Sequence, residues 1–271
     1  MTGQPHKSNI DYIRDSGKLI NRPGRVWNII TGCNHHATGI CKVPCYAKRL
    51  VATRLRGNPA YPYGFAPTFH TERIHPVGKR SKWLIFLNDM GDVGGNWWWN
   101  EYRSDDSAGG CTPKVVAHEM ARFASLNATH ICLLLTKNPA WYGLIEKWPE
   151  NVWCGFTATT QEELESRYAD MSGIDPAHTW VSLEPWYGLE HPVFADDWFS
   201  WVVIGGQTGP DKPVSEATIG WLHQPSTAPR FVKRNAYHEA GTSDQWIYDY
   251  RYLNADLPRE YPAEWRVGGH R

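Results

Sequence analysis

Long apolar runs are missing from this chain. No stretch approaches the roughly 18 consecutive apolar residues that a membrane-spanning helix needs. The opening segment MTGQPHKSNIDYIRDSGK also lacks the apolar core of a secretory signal. Both absences lead to the expectation of a cytoplasmic protein with no membrane contact, in which six cysteines stay reduced. Acidic residues are missing from one region. From Ser16 to Thr71 there are eight Lys or Arg and no Asp or Glu. A formal net charge of zero argues against a bulk nucleic-acid binder, yet this basic block favours an anionic ligand, cofactor or phosphate nearby. The competing reading is a solvated helix carrying Lys48, Arg49, Arg54 and Arg56, neutralised by acids folding back from elsewhere.

What is present is the pattern of an α/β domain. The chain has 271 residues, 41% hydrophobic and 21% charged, which suits one α/β barrel. Seven apolar runs recur in order: RVWNIITG (25–32), KWLIFLNDMGD (82–92), HICLLLTKNP (130–139), VWCGFTATT (152–160), TWVSLEP (179–185), SWVVIGGQTG (200–209) and RFVKRN (230–235). Near-continuous apolar strands imply burial on both faces, as in a parallel sheet. Helix starts are readable between them. Thr112–Pro113 opens PKVVAHEMARFASL, Thr160 with Glu163 opens QEELESRYADM, and Ser215 opens EATIGWLHQ. YAKRLVATRLRG reads as a helix ending at Gly57. Strand and helix alternate about six times, so the expected fold is a partial (β/α)6 barrel spanning 25–235. An N-terminal extension (1–24) precedes it and an irregular C-terminal cap (236–271) comes after it. Polar strand ends then gather on one face, where such barrels keep their chemistry. Fifteen tryptophans, including NWWWN at 96–100, read mainly as packing residues, with stacking on bases or sugars as the other use.

The chemistry is concentrated in TGCNHHATGICKVPCYAKRL, residues 31–50, where Cys33, Cys41 and Cys45 fall within 13 positions. Cys132 and Cys154 lie in apolar runs and read as buried small hydrophobes. A structural zinc site wants four ligands, and the fourth is absent unless His35 or His36 supplies it. A C-x-x-C redox pair is absent too. An iron–sulfur cubane held by three thiolates leaves one iron open for a substrate or cofactor.

These residues and six further motifs resemble a family of phage and prophage proteins of unassigned function related to the radical S-adenosylmethionine (SAM) superfamily. The resemblance runs over roughly residues 25–265. It rests on Trp27, Asn28, Thr31, Gly32, Cys33, Cys41, Cys45, Tyr46 and Ala47, then YGFAPTFHTERI (63–74), NDMGD (88–92), LLTKNP (134–139), VSLEP (181–185), VIGGQTGP (203–210) and FVKRN (231–235). The cysteine spacing is seven and three residues where radical SAM enzymes commonly have three and two. Gln207 stands where relatives tend to carry Glu.

The resemblance implies a radical-SAM-type barrel with one [4Fe–4S] cluster on Cys33, Cys41 and Cys45, SAM on the open iron, and a 5'-deoxyadenosyl radical as the reactive species. It implies an external electron donor of flavodoxin or ferredoxin type. Backbone groups of Asn88, Met90 and Gly91, beside Asp92, are expected to hold the methionyl amine, and Tyr46 to pack near the adenine. Thr157, Ser182 and Glu184 are expected to face the cofactor. Lys137 and Lys233 end different strands and are expected to bind a carboxylate or phosphate at the mouth, while Gly205, Gly206 and Gln207 form a loop permitting close ligand approach. His70 is a further catalytic candidate. The expected substrate is a nucleotide or hypermodified thymidine-type DNA base, flipped out if it lies in duplex, and modified or rearranged. The alternative is a zinc-stabilised nucleic-acid- or protein-binding module without redox chemistry.

Overall fold

The structure is a computed structural model describing residues 4–36, 39–41, 45–78, 81–95, 103–104, 112–188, 190–195, 197–206, 214–233, 236 and 258–267. In chain order the elements are α1 (Asp11–Leu19), β1 (Gly24–Trp27), β2 (Ile30–Thr31), α2 (Tyr46–Ala52), β3 (Thr68–Phe69), β4 (Leu84–Leu87), β5 (Arg103–Ser104) and α3 (Pro113–Leu126). Beyond α3 come β6 (Ile131–Thr136), β7 (Val152–Thr157), α4 (Gln161–Ser172), β8 (His178–Leu183), β9 (Trp201–Ile204), α5 (Glu216–Leu222) and β10 (Arg230–Val232). Seven strands form one parallel sheet in the order β1-β4-β6-β7-β8-β9-β10, and β2-β3-β5 form a small second sheet. Each large-sheet strand corresponds to one of the seven apolar runs. All six residues of β7 and all four of β4 are buried.

The large sheet curls into a half-barrel around a single side chain. The ring of Tyr12, from α1, lies 6.0 Å from Phe86, 6.1 Å from Trp180, 5.5 Å from Trp201 and 6.1 Å from Phe231, all edge-on. Phe86 and Phe231 sit on the second and seventh strands, which a flat sheet would hold roughly 24 Å apart. Alternation along the strands then separates two cores. Ile85, Leu134, Phe156, Val181 and Val202 face outward against α3 and α4, while Val26, Phe86, Leu133, Trp153, Trp180, Trp201 and Phe231 face inward.

Residues 1–24, expected to be an extension, therefore supply the plug of the barrel interior. Tyr261 and Trp265, from the segment expected to be a cap, join the same inner cluster. Residues 237–257 lie outside the described part. Other differences concern the connections. The β6–β7 crossover is a 3-10 helix, Pro139–Leu144, and no helix links β8 to β9 among the described residues. Among the described residues, then, the partial barrel is built of seven strands with unequal crossovers rather than six regular βα units. The helix after Cys45 stops at Ala52, and the chain turns until Gly57 at φ +78°. The other starts hold: Thr112, Thr160 and Ser215 hydroxyls accept N–H bonds from Val115 (3.3 Å), Glu163 (3.3 Å) and Thr218 (3.2 Å). Among the described residues no helix is long and apolar enough to cross a membrane.

Tyr12→Ala removes the ring that four strands share, and the expected cost is about 3–5 kcal/mol. Chemical denaturation is the measurement. Leu19→Ala, on the exposed side of α1, is expected to change stability by less than about 0.5 kcal/mol. Equal effects of the two would contradict the plug.

Candidate functional site

Past Trp27 the chain leaves the sheet but stays zipped to the turn after β4. Asn28 donates to Asp89 Oδ1 at 2.7 Å and accepts from Met90 N at 3.1 Å. Asn88, buried and at φ +66°, accepts from Ile30 N at 2.6 Å. Gly32 N donates to Met90 O at 3.0 Å, beside a Gly32–Gly91 bridge. Gly32 has φ +77°, and a Cβ there would lie 2.5 Å from Ala66 O, so only glycine fits. The motifs W-N-x-x-T-G-C and N-D-M-G-D are one interlocked unit. The carbonyls of Asn88 and Met90 already accept N–H bonds from Gly91 and Gly32. Each carbonyl oxygen has a second lone pair.

Asp92 ties this unit to the end of β6 and to the cysteine loop. Its Oδ2 lies 3.0 Å from His35 Nε2 and accepts from Lys137 N at 2.9 Å, while Oδ1 accepts from Gly94 N at 2.9 Å and from the Thr136 hydroxyl. Burial works to raise this carboxyl's pKa. The His35 charge, and bonds from His35, Thr136 and the Lys137 backbone, outweigh it and hold the pKa well below the carboxylate range. His35 is itself buried, so it is a pillar of the cysteine loop rather than a free loop residue. Thr31 and His70 make a second buried link, Oγ1 to Nε2 at 2.9 Å, beneath the β2–β3 pair. That partnership gives His70 a structural task.

Cys33 sits on this frame. Its sulfur accepts from His35 N at 3.3 Å, and a Cβ on Gly95 would come within 2.9 Å of it. Burial pushes its thiol pKa well up, the Asp92 charge adds to this, and the His35 N–H opposes it. The other two thiols raise it further, which places Cys41 and Cys45 within electrostatic reach. For Cys41 burial again raises the pKa, and the Lys137 charge is the largest opposing influence, with Arg167 also lowering it. Cys45 caps α2, accepting from Lys48 N at 3.5 Å. Residues 37–38 and 42–44 of this loop lie outside the described part. Among the described residues, no three His, Cys, Asp or Glu side chains converge closely enough to hold a metal ion. The donor chemistry, three thiols on one loop, fits a thiophilic iron or zinc centre.

A second group lies on the inner face at the same ends of the strands. Ser182 donates to Glu184 Oε2 at 2.8 Å, and Glu184 pairs with Lys233. Lys233 Nζ is 6.0 Å from the Tyr12 ring centre. Burial first, then the charges of Glu184 and Asp89, push the Tyr12 phenol well up. Thr157 is buried, and its carbonyl accepts from the Arg167 guanidinium, which also pairs with Glu163 at 3.2 Å. Gly205 is tied into the ladder at both ends, through Leu183 O and Trp186 N. Tyr46 is 60% exposed on the first turn of α2. Gln207 and Trp97–Trp99 lie outside the described residues. The structure thus brings Cys33, Cys41, Asp92 and Lys137 together, and separately Ser182, Glu184 and Lys233. Sequence reasoning missed Tyr12 and Arg167, and it named His35 as a possible zinc ligand without finding its partner Asp92. Only Arg167 carried a signal, its spacing of four from Glu163 on a helix.

Fold and site define an α/β half-barrel whose first strand leads into a three-thiol loop at the carboxyl mouth. The chain belongs to the DUF5131 family, described as a protein of unknown function, which it matches over residues 18–225. No curated protein and no solved structure matches it.

Asp92→Ala removes the carboxylate that His35, Gly94, Thr136 and the Lys137 backbone share, at an expected cost of about 3 kcal/mol or more. Alkylation followed by mass spectrometry reads the loop directly. In the metal-free wild type Cys41 and Cys45 are expected to react before buried Cys33; in Asp92→Ala, Cys33 reacts on the same timescale. A Cys33 that stays protected in the variant contradicts the anchoring role.

Proposed function

We propose that the chain is a radical SAM enzyme acting on a nucleotide or a thymidine-type DNA base, in the reducing cytosol its free thiols suit. The observation that carries this reading is the seating of three thiols on the loop after the first strand of a curled parallel sheet, at the mouth where charged strand ends converge. When bound, a [4Fe–4S] cluster with SAM supplies an electron to the sulfonium and a 5'-deoxyadenosyl radical that abstracts hydrogen from substrate.

The chain's own residues have definite tasks. Cys33, Cys41 and Cys45 hold the metal group. Asp92 and His35 fix the direction of the Cys33 thiol, and Gly95 leaves it room. Lys137 beside Cys41 attracts a carboxylate and lowers the cost of gathering thiolates. Ser182, Glu184 and Lys233 hold hydroxyl or amine groups of a ligand at the inner face. Tyr12 and the tryptophans beneath them keep water out of the lower barrel. An external flavodoxin-like or ferredoxin-like donor supplies electrons. A second reading, a zinc-held module, is favoured by one observation: among the described residues no hydrogen-bond partner meets the enclosed His36 Nδ1, which would give three thiols a fourth ligand.

Anaerobic reconstitution separates the two. The expected product is a brown protein with about four irons per chain, absorbing near about 400 nm and releasing 5'-deoxyadenosine from SAM under dithionite. Cys33→Ala is expected to lose both the iron and the product. Stoichiometric zinc without iron, and no deoxyadenosine, contradicts the proposal. Methylthioadenosine in its place shifts the cleavage to another carbon–sulfur bond.

A further inference from the structure

The acid-free region raises a question that the structure answers: do acids from elsewhere fold back onto it? α2 and the turns after it carry Lys48, Arg49, Arg54 and Arg56, all exposed. Among the described residues none of the four pairs with a carboxylate. α2 buries Val51 and half-buries Ala47 and Leu50, while Tyr46, Lys48, Arg49 and Ala52 meet solvent. The eight cations and no acid of residues 16–71 leave 20 cations against 28 acids elsewhere, so the molecule is polarised despite its zero net charge. Four like charges within nine positions repel one another. Among the described residues no carboxylate relieves this.

Two exposed aromatic rings flank the charges, Tyr46 at 60% and Tyr63 at 41% exposure. Tyr46 directly follows Cys45, whose sulfur caps α2, so the basic face begins at the thiol loop. The positive field continues past it to Lys137 and Arg167, both felt by Cys41. Charge without acids attracts phosphates, and accessible tyrosine faces stack on bases that are not already paired. A free nucleotide occupies one or two cations and has no use for a face this long.

We infer that the α2 face, from Tyr46 through Arg56 to Tyr63, is a binding surface for single-stranded nucleic acid that leads toward the thiol mouth. Arg49, Arg54 and Arg56 take the phosphates, and Tyr46 stacks on the base next to the mouth. This deepens the proposed function, and rests on it only for what happens to the base after delivery.

The test is fluorescence anisotropy of the full-length chain with a labelled deoxythymidine oligonucleotide roughly 20 nucleotides long. Each phosphate contact on a single strand contributes a slope of about −0.7 to log K against log salt, so three or four contacts give about −2 to −3. The combined variant Arg49→Glu, Arg54→Glu, Arg56→Glu is expected to lose at least about 100-fold in affinity and most of the slope. Tyr46→Ala is expected to lose about 10-fold with its slope unchanged, the mark of stacking rather than charge. All four positions are exposed, and circular dichroism with a denaturation midpoint checks that each variant folds.

Charge-reversed protein that binds like wild type overturns the inference. So does a matched duplex that binds more tightly than the single strand. Heparin that binds as tightly as the oligonucleotide, with Tyr46→Ala indistinguishable from wild type, also overturns it, because the surface is then a general polyanion sink. Iron content is read on the same preparations. Wild type that binds the strand but takes up no iron contradicts the cluster reading alone, and wild type that holds iron but ignores the strand contradicts this surface alone.

Discussion

The candidate site depends on one buried carboxylate. Asp92 holds the turn after β4, the end of β6 and the cysteine loop to a single point, through Gly94, Thr136, Lys137 and His35. A buried charge is costly unless it is paired and fully hydrogen-bonded, and this one is satisfied on both oxygens by partners from three segments. Each partner is therefore bound to the geometry of the others. Cys33, two residues before His35, inherits its position from that constraint, and Lys137 is placed beside Cys41 by the same bond that fixes its backbone.

The interior of the half-barrel divides at Tyr12. Below it the inner face is aromatic: Trp153 with Trp265, and Trp201 with Phe231 and Trp265, pack edge to face, while Trp180 meets Trp201 at a tilt of 37°. Above it Ser182, Glu184, Lys233 and Asp89 face the mouth. Stability and chemistry thus occupy different levels of the same seven strands. The boundary also explains why so many tryptophans coexist with a polar site: they fill the volume that a half-open sheet would leave to water.

How far the sequence discloses this depends on the range of each interaction. The seven strands are legible because burial on both faces leaves uninterrupted apolar runs, and the helix starts because a Thr or Ser cap is a local signal. The common face of Ser182 and Glu184 is legible from strand alternation, whereas the choice of Lys233 over Lys137 as the partner of Glu184 is not, since both lysines end strands. The position of α1 is not. DYIRDSGKL looks like a polar surface helix, and only the curl of a sheet whose last strand lies 219 positions away, from Tyr12 to Phe231, turns Tyr12 into its centre. His35 is illegible for the same reason, since its partner Asp92 comes from another strand's turn. The apparent (β/α)6 regularity failed at Pro139–Leu144 and after β8, where short connections bridge neighbouring strands without a full helix.

The central claim is that the three thiols hold an iron–sulfur cluster with one iron open to SAM, on a loop fixed by Asp92. Low-temperature electron paramagnetic resonance of the anaerobically reduced protein, with and without SAM, tests it most directly. The account predicts a [4Fe–4S] signal that changes shape when SAM is added, because three cysteines would leave one iron open to it. An identical spectrum with and without SAM, or no cluster signal in protein with all three cysteines intact, would contradict it.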